Sequence, residues 1–135
     1  MLNPPAGVEY GVRAAVHLAQ KYATGQVVKA AEIASEGGIP LPFLQRLLAR
    51  LQRAGLVTSA RGVRGGYRLA RAPGAIRVLD VVEALAAATP ESTQRSELGF
   101  LWERSRDAWR GALHASLAEV ADEIERSRRA LMFQI

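Results

Sequence analysis

The sequence predicts a mostly α-helical fold carrying one small β-hairpin, and three features predict it. Apolar residues recur at helical spacing over most of the chain. Two short segments, Leu56–Ala60 and Gly66–Ala70, flank a glycine-rich loop. Glycine or proline marks nearly every change of period. At 135 residues the chain has room for one modest core.

The first helix is expected from Ala6 to Tyr22, with Tyr10, Ala14, Leu18 and Tyr22 on one side. Pro4 and Pro5 set its start, because proline is tolerated in a first turn. A short helix follows from Val28 to Glu36, with Ala31, Ile33 and Ala34 inward, and Gly37-Gly38 breaks it. Ile39 is an apolar plug. A third helix begins near Leu41-Pro42 and runs to Ala54, its apolar stripe being Phe43, Leu44, Leu47, Leu48 and Leu51. Gly55 is its stop. Two strands then enclose Arg61-Gly62-Val63-Arg64-Gly65, a loop that is both basic and glycine-rich.

Beyond the linker Ala72-Pro73-Gly74, a fourth helix spans about Leu79 to Ala88, with Val78, Val81, Val82 and Leu85 facing inward. Thr89 to Thr93 is a polar break. The last helix is expected from Ser96 to Ser127 or beyond, with Leu98, Leu101, Trp102, Trp109, Leu113, Leu117, Val120 and Ile124 as its apolar sites. Ala112, Ser116 and Ala121 are small residues beside that stripe. A helix of that length, about 45 Å at 1.5 Å per residue, outruns so small a domain. Part of its apolar face must be covered elsewhere, and a second copy of the chain is the expected cover. Trp102 and Trp109, seven apart, share a face and are expected to be core or dimer residues.

Composition narrows the function. Cysteine is absent, which removes disulfides, thiol nucleophiles and cysteine-ligated metal centres together. No apolar run is long enough to span a membrane, and no signal-peptide pattern is visible, so a cytoplasmic location is expected. The chain carries +5 net charge and an isoelectric point near 10.4, unevenly distributed. Residues 1–80 hold eleven Lys/Arg and four Asp/Glu, a balance of +7, whereas residues 81–135 hold seven and nine, a balance of −2. The basic block is the footprint of phosphate-backbone binding.

Helix, glycine turn, helix, then basic hairpin is the order of a winged helix-turn-helix. The expected organisation is a DNA-binding unit over residues 1–78 and a helical dimerisation region over 79–135, within one compact chain. The second helix of the pair fits a DNA major groove about 12 Å wide. Pro42, Gln45 and Arg46 stand at its N-terminal end, nearest the base edges. Gln45 suits a bidentate contact to adenine, and Arg46 one to guanine or a phosphate. Arg61 and Arg64 at the hairpin tip suit the neighbouring minor groove. Arg46, Arg50 and Arg53 are equally what a solvated amphipathic face looks like; the helix pair and the basic wing together favour nucleic acid.

Three segments, Ile39-Pro-Leu-Pro-Phe-Leu44, Leu51-Gln-Arg-Ala-Gly-Leu-Val57 and Arg61-Gly-Val-Arg-Gly-Gly-Tyr-Arg-Leu-Ala70, resemble the iron–sulfur-cluster regulators of the IscR-like and NsrR-like type. Ile76 to Leu85 and Leu101-Trp102 fit as well, so the resemblance covers essentially the whole chain. It implies a homodimeric repressor whose long helices cross, bound to a partly palindromic operator. It also implies DNA contacts from Gln45 and Arg46 on the reading helix and from Arg61, Val63 and Arg64 in the wing.

The departure from that family is chemical. Many members hold a cluster on cysteines just before the long helix, where this chain reads Thr89 to Gly99 without a thiol. No thiolate-held cluster is possible, and no cofactor or metal is expected. His17, His114, Glu91 and Glu97 are the remaining N/O donors worth noting, at spacings more usual for surface or core residues. An effector, small molecule or partner protein, stays open. Catalysis is not expected: there is no His-Glu-x-x-His pair or phosphate-binding Gly-x-x-x-x-Gly-Lys-Ser/Thr loop. The glycines at 62–66 precede a strand rather than a helix. The competing expectation is a winged helix used for protein contact, against which the retained arginines argue. The apolar tail Leu131 to Ile135 has no assigned role.

Overall fold

A computed structural model describes residues 6–86 and 97–134; at positions 99, 102 and 106 it describes the backbone alone. The expected polar break at 89–93, the end of the fourth helix at 87–88, and the side chain of Trp102 therefore lie outside the described residues.

Helix α1, Ala6–Lys21, is the post around which the fold is built. Its buried side is made of small residues, Gly11, Ala14, Ala15 and Ala19, with Val16 and Leu18 between them. Small residues let a neighbouring helix approach closely. A Cβ at Gly11 would collide with the Leu85 side chain of α4, Val78–Ala86. Tyr22 falls just past α1, in a single 3₁₀ turn Tyr22–Thr24 closed by Gly25 in the left-handed region.

The second helix, α2, is Ala30–Gly37. It starts two residues later than the sequence predicts because Val28 is used otherwise. Its N–H donates to the Tyr67 carbonyl and its carbonyl accepts from the Tyr67 N–H, both at 2.7 Å. Backbone groups committed to a neighbouring strand cannot also open a helix. Ala31, expected inward, is exposed, whereas Ile33 and Ala34 are buried as expected. Gly38 ends α2 at φ 64°, and the Ile39 N–H closes the turn on the Ala34 carbonyl at 3.0 Å. Ile39 is buried beneath that turn.

The third helix, α3, is Leu41–Arg53, started by Pro42 in its first turn. Leu44, Leu47, Leu48 and Leu51 are buried as one stripe, and Phe43 packs edge-on against Tyr10 of α1. Gly55 sits at φ 76°, with its N–H donating to Gln52 and the Leu56 N–H to Leu51, both at 3.0 Å. This is a Schellman stop, and the buried Leu51 and Leu56 side chains accompany it. Strands β1, Val57–Ala60, and β2, Gly66–Leu69, pair antiparallel in the register Val57↔Leu69 to Ala60↔Gly66.

The largest departure lies in the C-terminal part. The long terminal helix is present as α6, Leu117–Met132, but it does not begin near Ser96. A separate helix, α5, Gly99–Ala112, precedes it. The chain leaves helical geometry between them because that stretch runs alongside the start of α4. Val78 N–H donates to the Ala115 carbonyl at 2.8 Å, Leu79 N–H to Leu113 at 2.9 Å, and Leu117 N–H to Ile76 at 2.8 Å. Ser116 then restarts the helix through a capping box. Its hydroxyl accepts from the Glu119 N–H, and the Glu119 carboxylate accepts from the Ser116 N–H, each at 3.1 Å.

The break divides the apolar face expected for dimerisation. Leu117 is 0% exposed, and Leu113, Val120 and Ile124 pack against the same core as α1. Leu117 is thus buried by its own chain, and the other three are partly covered by it. Leu98, Leu101 and Trp109 remain exposed, joined by Phe100. The ion pair from Arg110 to Glu83, at 3.3 Å, ties α5 to α4.

Among the described residues, no helix is long and apolar enough to cross a membrane.

Candidate nucleic-acid interface

Because the leucine stripe of α3 is buried, helical periodicity turns Gln45, Arg46, Arg50, Gln52 and Arg53 outward, and all five are exposed. Pro42 is exposed at the helix start. The outer face of α3 joins the outer face of the hairpin through Gln52, whose Nε2 donates to the Ser59 hydroxyl at 3.1 Å. Two residues beyond Ser59 the chain reaches Arg61. Arg61, Val63 and Arg64 all project into solvent at the tip, Val63 being 90% exposed.

The tip owes its shape to glycine. Gly62 takes φ 100°, and the Gly65 N–H donates back to its carbonyl at 2.9 Å. A Cβ on Gly65 would collide with the Ala60 carbonyl. At the base, a Cβ on Gly66 would lie 2.6 Å from the Val28 carbonyl, so only glycine lets the 28–67 pairing form. The Arg68 guanidinium stacks over the Tyr22 ring. The hairpin is thus fastened both to the segment before α2 and to the turn after α1.

Charge is sorted over these elements. All four carboxylates of residues 1–80 are engaged away from the α3 and hairpin cations. Glu9 pairs with Arg13 at 2.8 Å, Glu32 with Lys21 at 4.0 Å, Glu36 with His17 at 3.4 Å and Asp80 with Arg77 at 2.9 Å. Arg77 donates a side-chain hydrogen bond that holds the Asp80 carboxyl below its ordinary range, and the Asp80 carboxylate correspondingly raises Arg77. Arg46, Arg50, Arg53, Arg61 and Arg64 form no ion pair among the described residues. Exposed and without an ion-pair partner among the described residues, these guanidinium groups are available to an anionic surface.

The structure brings Gln45, Arg46 and Arg50 together on one helix face and Arg61, Val63 and Arg64 together at the hairpin tip. Sequence reasoning missed the anchoring residues Val28, Tyr67, Tyr22 and Arg68. It also missed Lys29, an exposed cation at the N-cap of α2 whose backbone adjoins Gly66. The double glycine at 65–66 was the available signal, since a close backbone approach needs it.

The sequence model of the Rrf2 family, described as "Iron-dependent Transcriptional regulator", matches residues 5–132. The HTH-type transcriptional regulator IscR of Cereibacter sphaeroides is 43% identical over 77 residues, 56% of this chain and 50% of that protein. The chain therefore spans about half the length of that relative. The HTH-type transcriptional regulator CymR of Bacillus subtilis is 32% identical over 131 residues, covering 93% of this chain and 94% of that protein. Among solved structures, T. potens IscR superposes with a TM-score of 0.77 at 33% identity, covering 93% of this chain and 90% of its own. CymR, described as the global cysteine regulator of B. subtilis, superposes at 0.72 with 30% identity, covering 91% and 98%.

The iron named in the family description cannot be held here as a thiolate-bound cluster, because the chain has no cysteine to supply it.

Proposed function

Because the chain belongs to the Rrf2 family of transcriptional regulators, we propose that it represses transcription as a homodimer on a partly palindromic operator, without a cysteine-ligated cluster. In this reading α3 lies in the major groove, with Gln45 and Arg46 at base edges and Arg50 on the backbone. Pro42 opens the helix close to the bases. Arg61 and Arg64 enter the adjacent minor groove, Val63 packs against its wall, and Lys29 takes a phosphate.

One observation carries the reading: five guanidinium groups on α3 and the wing form no ion pair among the described residues, whereas every carboxylate of the first 80 residues is engaged elsewhere. The exposed Leu98, Phe100, Leu101 and Trp109 support a two-fold dimer through α5. Selection of bound sequences from a random duplex pool tests the proposal. The enriched motif should contain two inverted half-sites centred about 34 Å apart, one DNA turn. No enrichment after repeated rounds would overturn it.

A further inference from the structure

A second constellation lies between α1 and α2. His17 projects from α1 with its side chain only 13% exposed. Its Nδ1 stands 3.4 Å from Glu36 Oε2, and its Nε2 stands 4.0 Å from Glu32 Oε1. Glu32 and Glu36 are one turn apart on α2, so they share the face that meets His17. The ring's Nε2 is buried and makes no hydrogen bond. Buried polar atoms are nearly always partnered, and this one faces Glu32 at 4.0 Å, beyond hydrogen-bond reach, so it calls for an explanation.

Three donor atoms, one from each residue, lie within 4.8 Å of one another. Ligands about 2.1 Å from a tetrahedral ion sit about 3.4 Å apart. The separation of His17 Nδ1 from Glu36 Oε2 already has that value, and that of Nε2 from Glu32 Oε1 is 4.0 Å; one ring nitrogen serves as the ligand. The two glutamates are substantially exposed and close the remaining distance by rotating their side chains. Lys21, whose Nζ is 4.0 Å from Glu32 Oε1, is the cation that occupies this carboxylate without an ion. Its flexible, half-exposed stem lets the ammonium return to water.

We propose that His17, Glu32 and Glu36 bind one first-row divalent metal ion per chain, with water completing its coordination. One imidazole and two carboxylates suit Fe(II), Mn(II) or Zn(II). The ion clamps α2, the first helix of the helix-turn-helix pair, against α1. Nothing in this inference depends on the DNA reading.

Chelator-treated full-length protein is titrated with Zn(II) by calorimetry and with Co(II) by visible spectroscopy. The expected result is one equivalent per chain and ligand-field bands from Co(II). His17→Gln and Glu36→Gln should each weaken Zn(II) binding by more than about tenfold, while His114→Gln leaves it unchanged. Glu36 is exposed, so Glu36→Gln keeps the fold, checked by circular dichroism. No saturable uptake up to about 1 mM Zn(II) overturns the site, as does parent-like affinity in both variants or loss on His114→Gln.

Discussion

The guanidinium of Arg68 lies 4.6 Å from the centre of the Tyr22 ring, joining strand β2 to the turn that ends α1. Together with the Val28–Tyr67 pair, this contact makes the wing an extension of the helical core rather than a free ribbon. A stacked cation of this kind contributes about 0.5–2 kcal/mol. Tyr22→Leu should therefore lower stability by about 1 kcal/mol in urea denaturation, and Tyr22→Phe should change it by less than about half of that. Equal losses in the two variants would assign the effect to the hydroxyl instead.

Gly66→Ala places a methyl group 2.6 Å from the Val28 carbonyl. The 28–67 pairing should open, releasing the base of the wing while the helical core persists. Limited proteolysis should then cut between residues 60 and 66 much faster than in the parent chain. An unchanged cleavage pattern would mean that the wing does not depend on this pairing.

How much of this was legible beforehand depended on the range of the interaction. The α3 stripe, the Gly38 and Gly55 stops and the two strands of the hairpin follow from local periodicity and turn chemistry, so the sequence shows them. The α3 and wing arginines were legible for the same reason. The break before α6 was not read, although Ser116-Leu-Ala-Glu119 is a capping-box signature. Unbroken apolar spacing from Leu98 to Ile124 outweighed it, and the decisive hydrogen bonds come from residues 76–79, remote in sequence. The Val28 pairing and the His17 cluster likewise join segments that periodicity alone cannot bring together.

Ser116→Ala removes the side-chain acceptor for the Glu119 N–H. Loss of such a cap costs about 1 kcal/mol, which denaturant unfolding resolves readily. The far-UV helical signal should be retained, because Leu117 and the backbone pairing to Ile76 still hold α6 in place. A continuous α5–α6 helix in the variant, seen as added helicity, would show the cap alone makes the break.

Asp80 contributes to stability in its ionised form. Its carboxyl is depressed by the Arg77 hydrogen bond, so the contribution is present above the unfolded value, near 3.8, and is lost as pH falls through the lower folded value. Parent chain and Asp80→Asn should differ by a constant amount at neutral pH and converge in acid below that point. A gap that widens on acidification would reverse the sign of this account.

Leu101→Glu and Trp109→Glu place charge on the exposed face of α5. If the chain dimerises through α5 as proposed, both should yield monomer in sedimentation at micromolar concentration, with thermal unfolding of each subunit little changed. A dimer that survives both variants must be held through another surface.

The most direct measurement of the central claim is the salt dependence of operator binding, by fluorescence anisotropy, for the parent chain and an Arg61→Ala/Arg64→Ala double variant. Each phosphate contact contributes a log–log slope of about −0.9. The account predicts a steep slope for the parent and one shallower by up to roughly 3.6 for the double variant, because two cations are lost from each subunit of the dimer, with weaker affinity at every salt concentration. Identical slopes and affinities for the two proteins would contradict it, because the wing's arginines would then face something other than the duplex.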